Sequence, residues 1–144
     1  MKSYEVSTTI HAAPDAIWAI LADADGYAGW DSGIHKLEGR LGTGEKVKLY
    51  SDEKPGRGWP IAVTEFDPGR RMTWRGGLPL GLLRGVRTFT LAPEDGGVTR
   101  FVVREEFSGP LAALATRTMP DLQAQFERFA AGLKARAEPK EAPY

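Results

Sequence analysis

At 144 residues, with 42% apolar and 26% charged side chains, the chain has the size and composition of one folded domain, which excludes disordered and fibrous classes. Its 19 Lys and Arg balance 19 Asp and Glu, so the positive field that nucleic-acid binding requires is absent. Cysteine is missing altogether, which removes disulfides, thiolate nucleophiles and sulfur-ligated metals together, and no apolar run approaches the ~20 residues of a membrane span.

The start, Met1-Lys2-Ser3-Tyr4-Glu5, carries no apolar signal core, so the cytoplasm is the expected location. Tyr4, Val6, Thr8 and Ile10 then alternate with polar neighbours at the period of a half-buried strand. Pro14 suits the first position of a short helix carrying Ile17, Trp18, Ile20 and Leu21, which Asp23, Asp25 and Gly26 end. Tyr27 to Trp30 add a further helical turn. Turn residues recur at 42–44, 55–58, 67–69, 76–81 and 94–97, and six strands fit around them, near 34–41, 45–52, 59–66, 70–75, 83–92 and 98–107. Phe66 cannot share a face with Ile61 and Val63 without a bulge, which leaves the facing of Trp59 and Phe66 open.

The last two strands pattern as a hairpin about Asp95-Gly96. With Leu91 opposite Thr99, Phe89 faces Phe101, Arg87 faces Val103, and Glu105 is a diagonal neighbour of Arg87 on the same face. After Gly109-Pro110 the period becomes helical, through Leu111 and Leu114, then Leu122, Phe126, Phe129 and Leu133. Pro120 marks a kink or fresh start, Asp121 favours a helix N-terminus, and the main helix is expected over 120–136. The class is therefore α+β: a curved seven-stranded antiparallel sheet around a long C-terminal helix, with two short helices after the first strand. Residues 1–138 form one domain in this reading, and 139–144 a frayed tail.

This order resembles the START-related SRPBCC superfamily, with its helix-grip fold, which includes polyketide cyclases, dehydratases and lipid-transfer proteins. The carriers are Ile10-His11-Ala12-Ala13-Pro14 leading to Ile17-Trp18, Asp23 through Trp30, Glu65-Phe66-Asp67-Pro68-Gly69 leading to Trp74, and Glu105-Glu106-Phe107-Ser108-Gly109. The resemblance implies a cavity between sheet and helix that takes a small hydrophobic molecule or lipid, and an enzyme only in some members. No catalytic motif of a defined member is matched.

Such a cavity would be lined on the last strand pair by Phe89, Leu91, Phe101, Val103 and Phe107. The middle strands would add Val47, Leu49, Met72 and Trp74, the helical segments Leu114, Leu122 and Phe126, and Trp30 would stand near the mouth. Each of these is equally an ordinary core residue. Arg87 and Glu105 fall on the same apolar face, where an unpaired charge costs several kcal/mol, so they are paired or solvated. Functionally, Arg87 would orient a carbonyl or carboxylate while Glu105 takes a proton; the bland alternative is a structural ion pair.

Glu105 and Glu106 are consecutive strand residues on opposite faces and cannot act as a dyad. His11 and His35 have no carboxylate at metal-ligand spacing, so no metal or other cofactor is expected, and Gly39-Arg40-Leu41-Gly42-Thr43-Gly44 reads as a hairpin turn rather than a phosphate loop. The segment Arg75–Gly85, rich in glycine and leucine, is read as a cavity lid, a dimer contact or plain packing, and a homodimer is one arrangement it allows. Three functions remain: a binder of a hydrophobic small molecule, a cyclase or dehydratase using Arg87 and Glu105, and an interaction module with a filled interior.

Overall fold

The computed structural model describes residues 2–52, 54–118 and 122–138. Strand β1 (Lys2–Ile10) leads into helix α1 (Pro14–Leu21) and a 3-10 turn over Ala24–Gly29. Strands β2 (Ile34–Glu38), β3 (Lys46–Ser51), β4 (Trp59–Asp67), β5 (Arg71–Leu78), β6 (Leu83–Glu94) and β7 (Val98–Ser108) follow, then helices α2 (Ala112–Thr118) and α3 (Leu122–Ala137). The seven strands form one antiparallel sheet in the order β1-β7-β6-β5-β4-β3-β2, curled as a half-barrel around α3. The expected α+β class and seven-strand order are those observed. The tail 139–144, the proposed break at Pro120 and the placement of Asp121 lie outside the described residues.

Local chemistry explains where the elements differ from their expected bounds. β2 stops at Glu38 because Gly39 takes φ +124°, a conformation outside the strand region. The register shifts between Val63 and Glu65, and this bulge is what turns Phe66 back toward the core, where its ring lies 5.1 Å from that of Trp18. The β6–β7 hairpin turns on Asp95, Gly96 and Gly97, with both glycines at positive φ. The expected pairing of Leu91 with Thr99 centres the turn on Asp95, and moving that centre to Gly96 shifts the register by two: Phe89 pairs with Val103, Leu91 with Phe101, and Arg87 lies directly opposite Glu105 instead of diagonal to it. A shift of two preserves the faces, so the inward set is unchanged.

α3 fills the concave side. Phe126, Phe129, Ala130 and Leu133 are buried against the sheet, each large side chain contributing about 1.5–3 kcal/mol by its burial. The Phe129 ring is the meeting point, 5.6 Å from Phe89, 6.2 Å from Phe101, 6.3 Å from Tyr27 and 5.1 Å from Trp30. Polar contacts fix the helix from outside: Arg128 Nε donates to Asp31 at 2.6 Å and its Nη2 to Asp52 at 3.2 Å, while Lys134 Nζ donates to the Thr9 carbonyl at 2.6 Å. Gly132 packs so tightly on the Asp31 backbone that a Cβ there would collide with the Asp31 carbonyl.

Glu138 closes the far end of α3 onto the segment after β1. Its carboxylate accepts hydrogen bonds from Lys134 Nζ at 2.6 Å and the His11 backbone N–H at 2.8 Å, with His11 Nδ1 at 2.9 Å. The Lys134 bond first, then the two His11 contacts, hold the carboxyl at about 2, below its ordinary 4.5. A carboxyl depressed on folding stabilises fully above its unfolded pKa, and that contribution disappears as pH falls from about 4.5 to about 2. Glu138→Gln should therefore lower stability at pH 7, with the gap to wild type closing as the pH approaches 2, as urea titrations along the pH series would read.

Candidate functional site

Side chains on alternate residues share a sheet face, so β5 presents Met72, Trp74 and Gly76 inward, and β6 presents Phe89, Arg87 and Gly85. The register pairs them as Met72 with Phe89, Trp74 with Arg87, and Gly76 with Gly85. Two large pairs are thus followed by a pair with no side chains. On β7, Val103, Glu105 and Phe107 stand beside Phe89, Arg87 and Gly85 respectively.

The glycine pair leaves a hollow of about 200 Å³ at one end of the concave face. Its walls are Leu49 of β3, Trp59, Pro60 and Ile61 of β4, Trp74 with Gly76 and Gly77 of β5, and Leu83 with Gly85 of β6. Phe107 of β7 and Leu122 of α3 complete them, and Arg87 with Glu105 forms the polar floor. A Cβ at Gly85 would stand 3.2 Å from the Phe107 ring and 3.8 Å from Glu105 Oε1, while one at Gly76 would meet Ile61 Cδ1 at 2.9 Å.

The floor is under-satisfied. Arg87 Nη2 reaches Glu105 Oε2 at 3.4 Å, long for a charge-assisted hydrogen bond, whose usual length is about 2.7–2.9 Å. Side-chain exposure is 20% for Arg87 and 11% for Glu105, so water compensates little. The guanidinium lies 4.9 Å from the centre of the Phe126 ring and 6.0 Å from that of Trp74. Arg87 Nε and Trp74 Nε1 are buried donors with no hydrogen-bond partner. Beyond Arg87 and Leu49 a recess of about 110 Å³ continues along Phe126 and Gln125 toward Asp52 and Arg128.

Tyr27, buried behind the floor, donates its hydroxyl to the Leu21 carbonyl at 2.6 Å. Burial pushes its pKa far up, with the Arg87 charge acting in the other direction. Among the described residues, no cluster of three or more His, Asp or Glu is placed to hold a metal ion.

The expected lining residues divide into two groups. Leu49, Trp74, Arg87, Glu105, Phe107 and Leu122 border the hollow, and Phe126 borders the recess beyond it. Val47, Met72, Phe89, Leu91, Phe101 and Val103 lie instead in a filled core, where Phe89 and Phe101 stack at 6.5 Å with no space between them. Trp30 packs on Phe129 and Tyr27 rather than at a mouth, and Leu114 is 55% exposed on α2. Around Phe89 and Phe101 the inward side chains pack on the Phe129 ring of α3, and the larger space opens where the glycine pair stands. Trp59, Pro60, Ile61, Gly76, Gly77, Leu83 and Gly85 escaped notice as lining. The pairing of Gly76 with Gly85, readable once the β5–β6 hairpin is drawn with Trp74 against Arg87, was the available signal. Segment 75–85 is itself mostly hairpin, since Gly76, Gly77 and Leu78 pair with Gly85, Arg84 and Leu83.

Residues 1–138 match the model of the family described as polyketide cyclase/dehydrase and lipid transport. The chain belongs to that family. No curated protein matches it by sequence. Among solved structures, the ZhuI aromatase/cyclase from Streptomyces sp. R1128 is similar with a TM-score of 0.73 and 19% identity, over 94% of this chain and 93% of that one. A hypothetical protein from Helicobacter pylori gives a TM-score of 0.78 at 17% identity, over 95% and 88% of the two chains. The Aha1 dimer from Colwellia psychrerythraea gives 0.74 at 18% identity, over 96% and 97%. At such identities the likeness shows the shared fold. As in a family spanning cyclases and transporters, the fold leaves the chemistry to the site. No helix among the described residues is long and apolar enough to cross a membrane.

The contrast between filled core and hollow is measurable. Phe89→Ala should cost about 3–5 kcal/mol of unfolding free energy, whereas Trp59→Ala, beside space already present, should cost less than about 2 kcal/mol. Arg87→Met should cost about 2–3 kcal/mol by leaving Glu105 uncompensated, and the double variant Arg87→Met/Glu105→Leu should recover most of it. Guanidinium titrations with matched slopes would check all four.

Proposed function

We propose that this family member binds a small, largely apolar molecule bearing one hydrogen-bond acceptor, in the hollow above the Gly76–Gly85 pair. The observation that carries the reading is an apolar-walled space of about 200 Å³ bordered by the Arg87 guanidinium, which keeps 20% exposure and makes one long contact of 3.4 Å to Glu105. A dry cavity of about 150 Å³ suffices to hold benzene, so the hollow admits a molecule of one or two rings or a medium alkyl chain. A charged group with one long contact disfavours the empty state, and a carbonyl or similar oxygen would accept from the accessible N–H groups of Arg87 while its hydrocarbon part displaces water from the walls. The family description, with its cyclases and lipid transporters, agrees with an interior site.

A second reading rests on the charged pair in that floor. Arg87 would polarise a ketone carbonyl while Glu105 accepts a proton from the neighbouring carbon. That carbon's electron pair then attacks a second carbonyl, whose π pair moves to its oxygen, and the resulting alkoxide takes the proton back from Glu105, giving the ring alcohol. Ring closure of a linear poly-β-ketone thioester, lost in Glu105→Gln, would support it; equal product with and without the protein would sink it.

For binding, the test is calorimetric titration with 2-nonanone, an alkyl chain carrying one carbonyl. Wild type should bind, Arg87→Met should bind several-fold more weakly, and Gly85→Leu, whose backbone is not in the left-handed region, should fill the hollow and bind no ligand. Equal affinity in wild type and Gly85→Leu would overturn the reading. Mass spectrometry of molecules extracted from the purified protein would identify the natural occupant.

A further inference from the structure

The hollow has a counterpart on the outer face of the sheet. A groove of about 490 Å³ is walled by Leu78, Leu80 and Leu83, and by Lys46, Arg75 and Arg84, which point outward from their strands. Among the described residues no carboxylate lines it and none of these three cations has an ion-pair partner. Three like charges around one groove repel each other, and an anion there relieves that repulsion.

Groove and hollow share Pro60, Ile61, Gly76, Gly77 and Leu83. The reason lies in the strand pairing. The β4–β5 ladder runs from Asp67 with Arg71 only as far as Ala62 with Arg75. Beyond it, Trp59, Pro60 and Ile61 pair with β3, and Gly76, Gly77 and Leu78 pair with β6, so the two strands turn to their other neighbours and leave a seam. Pro60 has no N–H to bridge it, and the two glycines bring no side chain to plug it. Ile61 Cδ1 leans over Gly76, and the Pro60 carbonyl lies 3.3 Å from where a Gly76 Cβ would stand, so the Ile61 side chain must turn and the β4 backbone must give slightly for a chain to pass.

From these features, and resting on the binding reading above, we infer that the ligand carries an anionic group besides the acceptor that meets the interior floor: its largely apolar body occupies the hollow, and its carboxylate or phosphate end passes the β4–β5 seam to Lys46, Arg75 and Arg84. The seam is then an entry from the side of the sheet, and head-group charge is a specificity determinant outside the cavity.

The test compares octanoate, octyl phosphate, 1-octanol and inorganic phosphate by calorimetry on wild type and on Arg75→Glu/Arg84→Glu, a pair of exposed positions whose thermal melt should match wild type. Wild type should bind octanoate or octyl phosphate about tenfold more tightly than 1-octanol, the yield of two or three partly screened charge contacts. That preference should shrink as salt rises from about 20 to 500 mM and disappear in the double variant, with the affinity for 1-octanol kept. The preferred anion, carboxylate or phosphate, names the head group. A preference that survives the double variant, or vanishes only in Arg87→Met, would place the anion on the interior floor and overturn the inference. Inorganic phosphate binding as tightly as octyl phosphate would make the groove an independent anion site and overturn it as well. Equal binding of all three alkyl probes removes this inference but leaves the hollow; failure of every alkyl probe removes both.

Discussion

A curled sheet presents one concave apolar face, and a single helix must cover it; that constraint organises everything else in the molecule. α3 meets it through Phe126, Phe129 and Leu133, and Phe129 alone touches four other rings drawn from the sheet and from the segment after α1. Around Phe89 and Phe101, sheet and helix meet ring to ring at Phe129. Where Gly76 faces Gly85, the helix has nothing to meet, and the same packing that fills one end of the interior leaves the other open. The hollow is therefore set by two missing side chains, not by a distortion of the fold.

Much of the fold was legible because its signals are periodic. Alternation revealed β6 and β7, turn residues spaced the strands between, and the change to helical spacing after Gly109-Pro110 marked the closing helices. Face assignments also held, since a register displaced by two residues leaves the same side chains inward. Position along the face was less legible. Centring the β6–β7 turn on Gly96 instead of Asp95 slides Glu105 from beside Arg87 to directly across from it, and the positive φ of Gly96 and Gly97 accompanies that choice. The candidate site was read from large apolar residues, as cores are, so Phe89, Phe101 and Val103 were counted with the lining although they fill space. A void is made by what is small: Gly76 and Gly77 fall in the turn expected at 76–81, and Gly85, in the strand expected at 83–92, has no side chain to mark a lining.

Membership of the polyketide cyclase/dehydrase and lipid transport family and the geometry of the floor point the same way. Two charges on an apolar wall carry a desolvation cost that one 3.4 Å contact does not offset, and fixed donors without acceptors add to it. Such a floor is poorly arranged for stability and well arranged for an oxygen-bearing guest. The outer cations stand in the same relation to the groove, where mutual repulsion is tolerated beside leucines that a wholly structural surface would have covered, Leu80 being 96% exposed.

The close seat of Gly132 on Asp31, with Arg128 clamped between Asp31 and Asp52, has a mechanical consequence. One end of α3 is a fixed bearing: neither rotation nor sliding is open to it without breaking backbone contact. Any widening of the interior must then be a swing about that bearing, with the largest travel at Leu122, on the rim of the hollow. A bound guest would be felt most by the first turn of the helix, and hardly at all by its last.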